Sequence, residues 1–252
     1  MRHMVWWRRI CVIAVAMVMV CGVAGCETGD TQAGIVAASD DHIDQLFARD
    51  RGQKIASSFD EYIDQTITEL KNGQELKDLD PTGEYTQRQL QVLERTKQAG
   101  SMSAADYENA WANYRQCMTD RGYKNIILLK QVNGVYAEAG HLFDRNNPRE
   151  HTYNKDMREC TILHTGYLSE LYKDQQGNPN LFKNPFEGAL DCMHRNNYVS
   201  KDYSLDDLKH DLYGGVTDKS QLKADIYGAQ IPSCLIANNI TVLPEDAPLE
   251  EL

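Results

Sequence analysis

Four cysteines recur at nearly equal intervals through the second half of this 252-residue chain. Cys117 and Cys160 are 43 residues apart, and Cys192 and Cys234 are 42 residues apart. None of the four belongs to a Cys-x-x-Cys pair, so the pattern indicates neither a zinc knuckle nor a thioredoxin-like redox site. Cysteines of this kind form stable disulfides in an oxidising compartment, and the N-terminus predicts which compartment the chain reaches.

The N-terminal residues have the three parts of a secretory signal. The segment from Met1 to Arg9 is basic and holds no acidic residue, the segment from Ile10 to Val20 is apolar, and small residues follow it. The apolar segment is too short for a comfortable membrane span. We therefore predict that residues 1–25 are a signal peptide and that the chain is exported.

The signal ends in Val23-Ala24-Gly25-Cys26, which resembles the lipobox of bacterial lipoproteins. In that family the small residues fit the signal peptidase, and the cysteine thiol carries the acyl chains of a diacylglycerol, palmitate among them. The family usually has Leu where this chain has Val23. The resemblance implies lipid attachment at Cys26 and anchoring to the outer face of the cell membrane. Plain secretion and an uncleaved anchor are the alternatives.

Four of the seven cysteines remain for disulfides, because Cys11 and Cys21 lie in the signal and Cys26 is expected to carry the lipid. An even number in an exported chain predicts two structural bonds, and four cysteines allow three pairings. We expect Cys117 to join Cys160, and Cys192 to join Cys234. The two intervals match, as they would if a duplicated module carried its own bridge.

The charge balance argues against nucleic-acid partners. The whole chain has 26 basic and 37 acidic residues, and the signal holds three of the basic ones and none of the acidic ones, so the remainder has a net charge of −14. An acidic exterior repels phosphate backbones and anionic lipid heads at long range. The same charge is also typical of a protein that is simply kept soluble.

Helical periodicity predicts a mainly α fold with one small β-hairpin. The segment from Glu27 to Ser39 is small, polar and aperiodic, which predicts a flexible tether. The predicted helices run from Phe59 to Leu70 with Gly73 after it, from Thr86 with Gln89 in a capping box, from Ser103 to Gly122, from Arg149 to Tyr172, from Asn184, and from Ser204 to Gly214. The predicted hairpin has a two-residue turn at Asn133-Gly134, and Asp174 to Lys183 is predicted to be a linker.

A repeat is present in the cysteine-containing region. Trp111, Cys117-Met118 and Tyr123 recur as Phe186, Cys192-Met193 and Tyr198 at equal offsets. Two modules of similar size, each with two cysteines, explain these offsets. The predicted organisation is a signal at 1–25, a lipidated tether at 26–39, an N-terminal helical region at 40–105, a first module at 106–177 and a second at 178–252.

These residues also resemble a recurrent block in uncharacterised exported lipoproteins of actinobacteria. The resemblance rests on a list of short matches: Gln91 to Arg95, Gly100 to Tyr107, Ala110, Tyr114, Cys117-Met118, Gly122-Tyr123, the Cys160 helix and Asn178-Pro179. It spans roughly residues 86 to 239. It implies export and disulfides, and it implies no particular activity.

Two short motifs resemble known sites but lack residues that those sites require. Asp78, Asp80 and Thr82 imitate the start of an EF-hand loop, but Gln89 stands where the bidentate glutamate should be. Ser220-Gln-Leu-Lys223 matches the Ser-x-x-Lys of penicillin-recognising enzymes, whose other motifs the chain lacks. The six histidines after the signal include no His-x-x-x-His pair. We therefore expect no metal, no cofactor and no catalytic residue that the sequence identifies.

The expected function is that of a non-enzymatic surface lipoprotein that binds a protein or a cell-wall ligand. A cell-wall hydrolase is the first alternative, because a pair of carboxylates could converge in the fold. An inhibitor or immunity lipoprotein is the second alternative, and it would present a protruding loop held by a disulfide. A cleft that contains two acids with shifted pKa values would favour the hydrolase.

Overall fold

The computed structural model describes residues 40–141, 146–216, 218–242 and 247–250. The predicted signal peptide, the tether and Cys26 therefore lie outside the described residues. The chain divides into two compact units, 1–48 and 49–252, and the described part of the first is the helix α1, Asp40–Ala48. The remaining elements belong to the second unit.

The second unit is mainly helical, which confirms the predicted fold class. Its elements are α2 (Phe59–Asn72), α3 (Gln74–Leu79), α4 (Glu84–Ala99), α5 (Ala104–Asp120), β1 (Leu128–Lys130), β2 (Tyr136–Glu138), α6 (Glu150–His164), α7 (Gly166–Gly177), α8 (Pro185–Arg195), α9 (Leu205–Tyr213), a 3₁₀ turn (Lys219–Gln221) and α10 (Ile231–Ala237). None of the helices in the described ranges combines the length and the apolar character that a membrane crossing requires.

The two disulfides have the predicted connectivity. Cys117 on α5 is bonded to Cys160 on α6, with their Cα atoms 5.8 Å apart. Cys192 on α8 is bonded to Cys234 on α10, with their Cα atoms 5.6 Å apart. Each bond therefore joins two helices that already pack against each other.

The local structure around the first cysteine of each pair is repeated. The amide of Tyr123 donates to the carbonyl of Met118, and 75 residues later the amide of Tyr198 donates to the carbonyl of Met193. The residue before each tyrosine, Gly122 or Asn197, has a positive φ. A bond that spans six residues across a left-handed residue is a Schellman helix end. The repeat read from the sequence is thus also a repeat of backbone structure, while the module boundary at 177 stays a prediction.

The hairpin is confirmed, but its predicted two-residue turn is wrong. Lys130 pairs with Tyr136, and the amide of Gln131 donates to the carbonyl of Val135, so three residues form the loop. Gly134 closes the turn with a φ of 84°. A type I turn followed by a left-handed glycine gives this three-residue loop, and the Asn-Gly pair occurs in both kinds of hairpin.

The predicted start of α4 at Thr86 is also wrong. The helix begins at Glu84, and Thr86 lies in its first turn. The carboxylate of Asp80 accepts hydrogen bonds from both the amide and the hydroxyl of Thr86, each at 2.8 Å. The capping group therefore comes from outside the helix. Gln89 is buried, and its amide donates to the carbonyls of Ile162 and Leu163 on α6.

The single helix predicted from Arg149 to Tyr172 is two helices. The break lies at Thr165, whose φ of −118° departs from helical geometry, and Gly166 next to it has a low helix propensity. The second helix continues to Gly177, so the first part of the predicted linker is helical. Asn178 supports this extension, because its amide donates to the buried carboxylate of Asp174 at 2.9 Å.

The core around the first bridge is aromatic. Tyr114, Met118, Tyr123, Ile126, Tyr153 and Cys160 are buried together between α5, α6 and the segment that leads to the hairpin. Trp111 packs against this cluster, as expected of a core residue. The bridge therefore crosses a packed interface, which places the outer face of α5 in a fixed position relative to the hairpin.

Loss of the first bridge should destabilise the protein. Replacing Cys117 and Cys160 together by serine should lower the free energy of unfolding by about 4 kcal/mol, because the unfolded chain regains the entropy of a 43-residue loop. Denaturant unfolding of the full-length protein measures this change. Replacing Cys192 and Cys234 should cost a similar amount, since that loop has 42 residues.

Peptide mapping without reduction checks the pairing directly. We expect one linked peptide that contains Cys117 and Cys160. A peptide that links Cys117 to Cys192 would contradict both the pairing and the duplicated module.

Candidate functional site

A depression of about 780 Å³ lies between the outer face of α5 and the segment that connects it to the hairpin. Its lining consists of Ala112, Arg115, Gln116, Thr119, Lys124, Asn125, Ile126, Ile127 and Leu249. The volume is within the range of small-molecule and peptide sites in proteins. We call this feature the α5 depression.

The α5 depression exists because α5 has two chemically different faces. Tyr107, Ala110, Tyr114 and Met118 form its buried stripe. The lining residues of α5 are spaced by three and four positions along the opposite face, so they share one exposed surface. After Gly122 ends the helix, residues 124–127 return along that surface and form the other wall.

Two cations of the α5 depression have no ionic partner. Neither Arg115 nor Lys124 forms an ion pair or a side-chain hydrogen bond with any residue of the described chain. The neighbouring cations differ. Arg121 is paired with Asp156 and Glu159 at 2.8 and 2.7 Å, and Lys130 is paired with Glu108 at 2.6 Å. The depression is therefore a locally basic surface on an acidic protein, and none of the described residues in its lining is acidic.

An apolar strip accompanies these cations. Leu249 is 49% exposed, which makes it one of the few large apolar side chains that the described residues leave in solvent. Ile127 beside it is half-buried, and Ala112 is exposed on the α5 face. A ligand in the depression thus meets positive charge and apolar surface together.

The segment that carries Leu249 is attached to the hairpin through the next residue. The backbone amide of Glu250 donates to the carbonyl of Gly140 at 2.8 Å. Its carboxylate accepts a hydrogen bond from the backbone amide of Ile127. These contacts hold the 247–250 segment beside the wall of the α5 depression.

A cluster of two carboxyl groups, one buried and one partly buried, lies behind this wall. The hydroxyl of Tyr153 donates to Glu138 at 2.9 Å and is 3.4 Å from the carboxylate of Glu250. The hydroxyl of Tyr114 also donates to Glu138. The two carboxyl groups therefore contact the same phenol; only 1% of Glu250 is exposed, and Glu138 is partly buried.

Burial raises the pKa of both acids. For Glu250, removal from water and the nearby charge of Glu138 raise the pKa to about 7, against hydrogen bonds from Ile127 and Tyr153. Burial likewise raises the pKa of Glu138, against hydrogen bonds from Tyr114 and Tyr153 and the charge of His141. Two carboxylates removed from water beside one shared hydroxyl donor are unfavourable when both are ionised, so the pair holds a proton to higher pH than free glutamate does.

Two observations bear on the choice between binding and hydrolysis. Two acids with raised pKa values do converge, as a hydrolase would need. However, neither Glu138 nor Glu250 is among the described residues that line the α5 depression, and both carboxyl groups contact the hydroxyl of Tyr153.

The rejected motifs have structural roles. Asp80 caps α4, and this use of its carboxylate explains the calcium-like spacing. Ser220 is exposed in the 3₁₀ turn, and Lys223 is paired with Asp207. His164 packs against the ring of Tyr85, and burial lowers its pKa to about 4. In the described parts of the chain, no group of three or more His, Cys, Asp or Glu side chains is placed to hold a metal ion.

A second depression lies at the start of α4, with Thr82, Gly83, Glu84, Gln87, Arg88 and Gln91 in its lining. Its one cation, Arg88, is paired with Glu84. It therefore lacks the free positive charge of the α5 depression.

Comparisons with protein-family models, with curated proteins and with solved structures find no match to the chain. The site must therefore be judged on its own geometry.

The residues of this site were not identified from the sequence. Arg115 and Lys124 lie in unremarkable helical and loop sequence, and Glu250 is 112 residues after Glu138. Periodicity does place Arg115 on the exposed face of α5, because the buried stripe of that helix is clear. No signal in one sequence brings the C-terminal segment to the hairpin.

The raised pKa of Glu250 predicts a pH dependence of stability. The folded state holds the proton more tightly than the unfolded chain, whose glutamate pKa is near 4.5. The stabilisation is therefore complete below about pH 4.5 and is lost as the pH rises through 7. Relative to Glu250→Gln, which stays neutral, the free energy of unfolding of the native protein should fall by about 3 kcal/mol over this window.

Comparison with Glu250→Gln removes the contributions that other groups make to the pH dependence of stability. The low pKa of His164 makes stability rise with pH over part of the same window, and it does so in both proteins. Glu94→Gln, an exposed substitution on α4, is the matched control, and its difference from the native protein should not vary with pH in this way. A flat difference for Glu250→Gln as well would show that the cluster does not hold a proton.

Proposed function

We propose that the chain is a lipoprotein of the outer face of the cell membrane that binds a ligand and does not hydrolyse one. The anchor is inferred from the basic, apolar and small-residue segments that end at Cys26. Two disulfides between packed helices fit an oxidising compartment. Binding is inferred from the α5 depression.

The observation that carries the binding role is the contrast between the two groups of charged residues. Arg115 and Lys124 are exposed in the α5 depression and have no ionic partner among the described residues, whereas Glu138 and Glu250 are hydrogen-bonded behind its wall. Exposed, unsatisfied charge beside apolar surface is available to a ligand. Acids that are hydrogen-bonded to tyrosines outside the depression are poorly placed for proton transfer to a ligand bound in it, which requires direct hydrogen-bond reach.

A cell-wall hydrolase is the second candidate, and the raised pKa values of Glu138 and Glu250 favour it. A glycosidase needs its two carboxyl groups on opposite sides of the scissile bond, about 5–9.5 Å apart, with the substrate between them. Here both carboxyl groups contact the hydroxyl of Tyr153, and neither is among the described residues that line the α5 depression. Hydrolysis of cell-wall polymer by the purified protein, abolished by Glu138→Gln, would establish this candidate instead.

The inhibitor or immunity role receives no support from the bridges. Each of the four cysteines lies within a helix, so each bond joins two helices.

Lipid attachment is tested at Cys26. Mass spectrometry of the purified native protein should find acyl chains on this residue as the first of the mature chain. Two acyl chains anchor a protein stably, whereas one alone holds weakly. Cys26→Ala should therefore move the protein from the membrane fraction to the medium, or leave the signal uncleaved.

The matched control is Cys21→Ala, which changes a neighbouring cysteine inside the predicted signal. It should leave the protein in the membrane fraction with its lipid. Normal processing and membrane retention of Cys26→Ala would contradict the anchor.

A further inference from the structure

We propose that the α5 depression binds an extended acidic peptide segment that carries apolar side chains. This inference rests on the binding role proposed above and adds the chemical class of the ligand. It is drawn from the charge, the apolar lining and the open shape of the depression.

The charge of the depression selects a negatively charged ligand. Arg115 and Lys124 are both exposed and have no ionic partner in the described chain. The net charge of the protein is negative, but interactions beyond about 8 Å are largely screened at physiological ionic strength. At contact distance the ligand therefore meets two cations and no carboxylate from the described residues of the lining. Carboxylate groups of a peptide are complementary to this surface.

The apolar lining selects a peptide over a purely ionic polymer. Leu249, Ile127 and Ala112 lie in the same depression as the cations. A polyphosphate or another highly charged chain would leave this strip in contact with water or with its own charges. A peptide in which acidic and apolar side chains alternate places carboxylates near Arg115 and Lys124, and it buries its apolar groups against Leu249.

The open shape favours a segment of a larger molecule. Most lining residues are exposed, including Gln116, Thr119 and Asn125. Small-molecule sites enclose most of the ligand surface, which an open depression cannot do. A peptide segment can lie along such a surface and leave its outer side in solvent.

The scaffold makes this surface rigid before the ligand arrives. The Cys117–Cys160 bond starts one residue after Gln116 in the lining, and Tyr123 is fixed by hydrogen bonds to Thr152 and Asp156 on α6. Both walls are therefore attached to the same helix. A site that is ordered in advance loses less entropy on binding.

The probes are three fluorescent pentapeptides, of sequence Glu-Leu-Glu-Leu-Glu, Glu-Ser-Glu-Ser-Glu and Lys-Leu-Lys-Leu-Lys. Their binding to the full-length lipidated protein in non-ionic detergent is followed by fluorescence anisotropy. The Glu-Leu peptide should bind, and the Glu-Ser peptide should bind about tenfold more weakly because it buries no leucine. The Lys-Leu peptide should bind more weakly than both. Equal binding of all three would overturn the proposal.

Variants locate the site. Arg115→Ala with Lys124→Ala should weaken binding of the Glu-Leu peptide on the order of tenfold. Lys77→Ala with Lys201→Ala is the matched control, because it removes the same charge from exposed positions outside the depression and should leave binding unchanged. Leu249→Ser should weaken binding of the Glu-Leu peptide and leave binding of the Glu-Ser peptide unchanged. Equal losses in the two double variants would show that only net charge matters, which overturns the site.

Competition with polyphosphate tests the remaining alternative, which is an anion site without preference for peptide. Sodium hexametaphosphate that displaces the Glu-Leu peptide, combined with equal affinity of the two glutamate peptides, would show an anion site without preference for peptide and would refute the proposal. Failure of all the acidic probes, with the protein still acylated at Cys26 and on the membrane, would refute this ligand class alone. The proposed anchored role fails separately, if Cys26 carries no lipid.

Discussion

The packing of α5 on α6, fixed by the Cys117–Cys160 bond, is the constraint on which the rest of the site depends. It buries the aromatic stripe of α5 and so leaves the opposite face of that helix in solvent. Arg121 and Tyr123, directly after the helix, are bonded to Asp156 on α6, which directs the chain back along α5. The α5 depression is the space between that helix face and the returning chain.

The same packing positions the buried acids. Tyr153 on α6 and Tyr114 on α5 both donate to Glu138 on β2, so both bridged helices are hydrogen-bonded to the hairpin. Glu250 joins this group from the far end of the chain and connects it to the wall of the depression through Ile127. Buried carboxyl groups are costly unless they are hydrogen-bonded or protonated. This cost raises the pKa values of Glu138 and Glu250. The attachment of the 247–250 segment to the hairpin therefore depends on pH.

The parts of the fold that depend on short sequence patterns could be predicted. Ser103, Asn184 and Ser204 cap the predicted helices, and the matched cysteine intervals gave the correct pairing. The predictions were wrong where the periodic pattern does not show which residue starts or ends a helix. Asp80 starts α4 from outside the helix, and Thr165 breaks a helix whose apolar pattern is continuous.

The candidate site could not be predicted from the sequence for a related reason. Its cations lie nine residues apart on a helix and a loop, and its apolar wall comes from Leu249, more than 120 residues later. Only the folded chain shows that Arg115 and Lys124 have no ionic partner among the described residues, while most neighbouring cations have one. The same holds for the acids, since the sequence does not show which of its many carboxylates converge.

The central claim is that a ligand binds between α5 and residues 124–127, and hydrogen–deuterium exchange of the full-length protein tests it most directly. With the Glu-Leu peptide present, we expect slower exchange in the peptic peptides that cover residues 112–127 and 247–250. Exchange around the second depression, residues 82–91, should not change. Protection confined to residues 82–91, or protection nowhere in the chain under saturating peptide, would contradict the account.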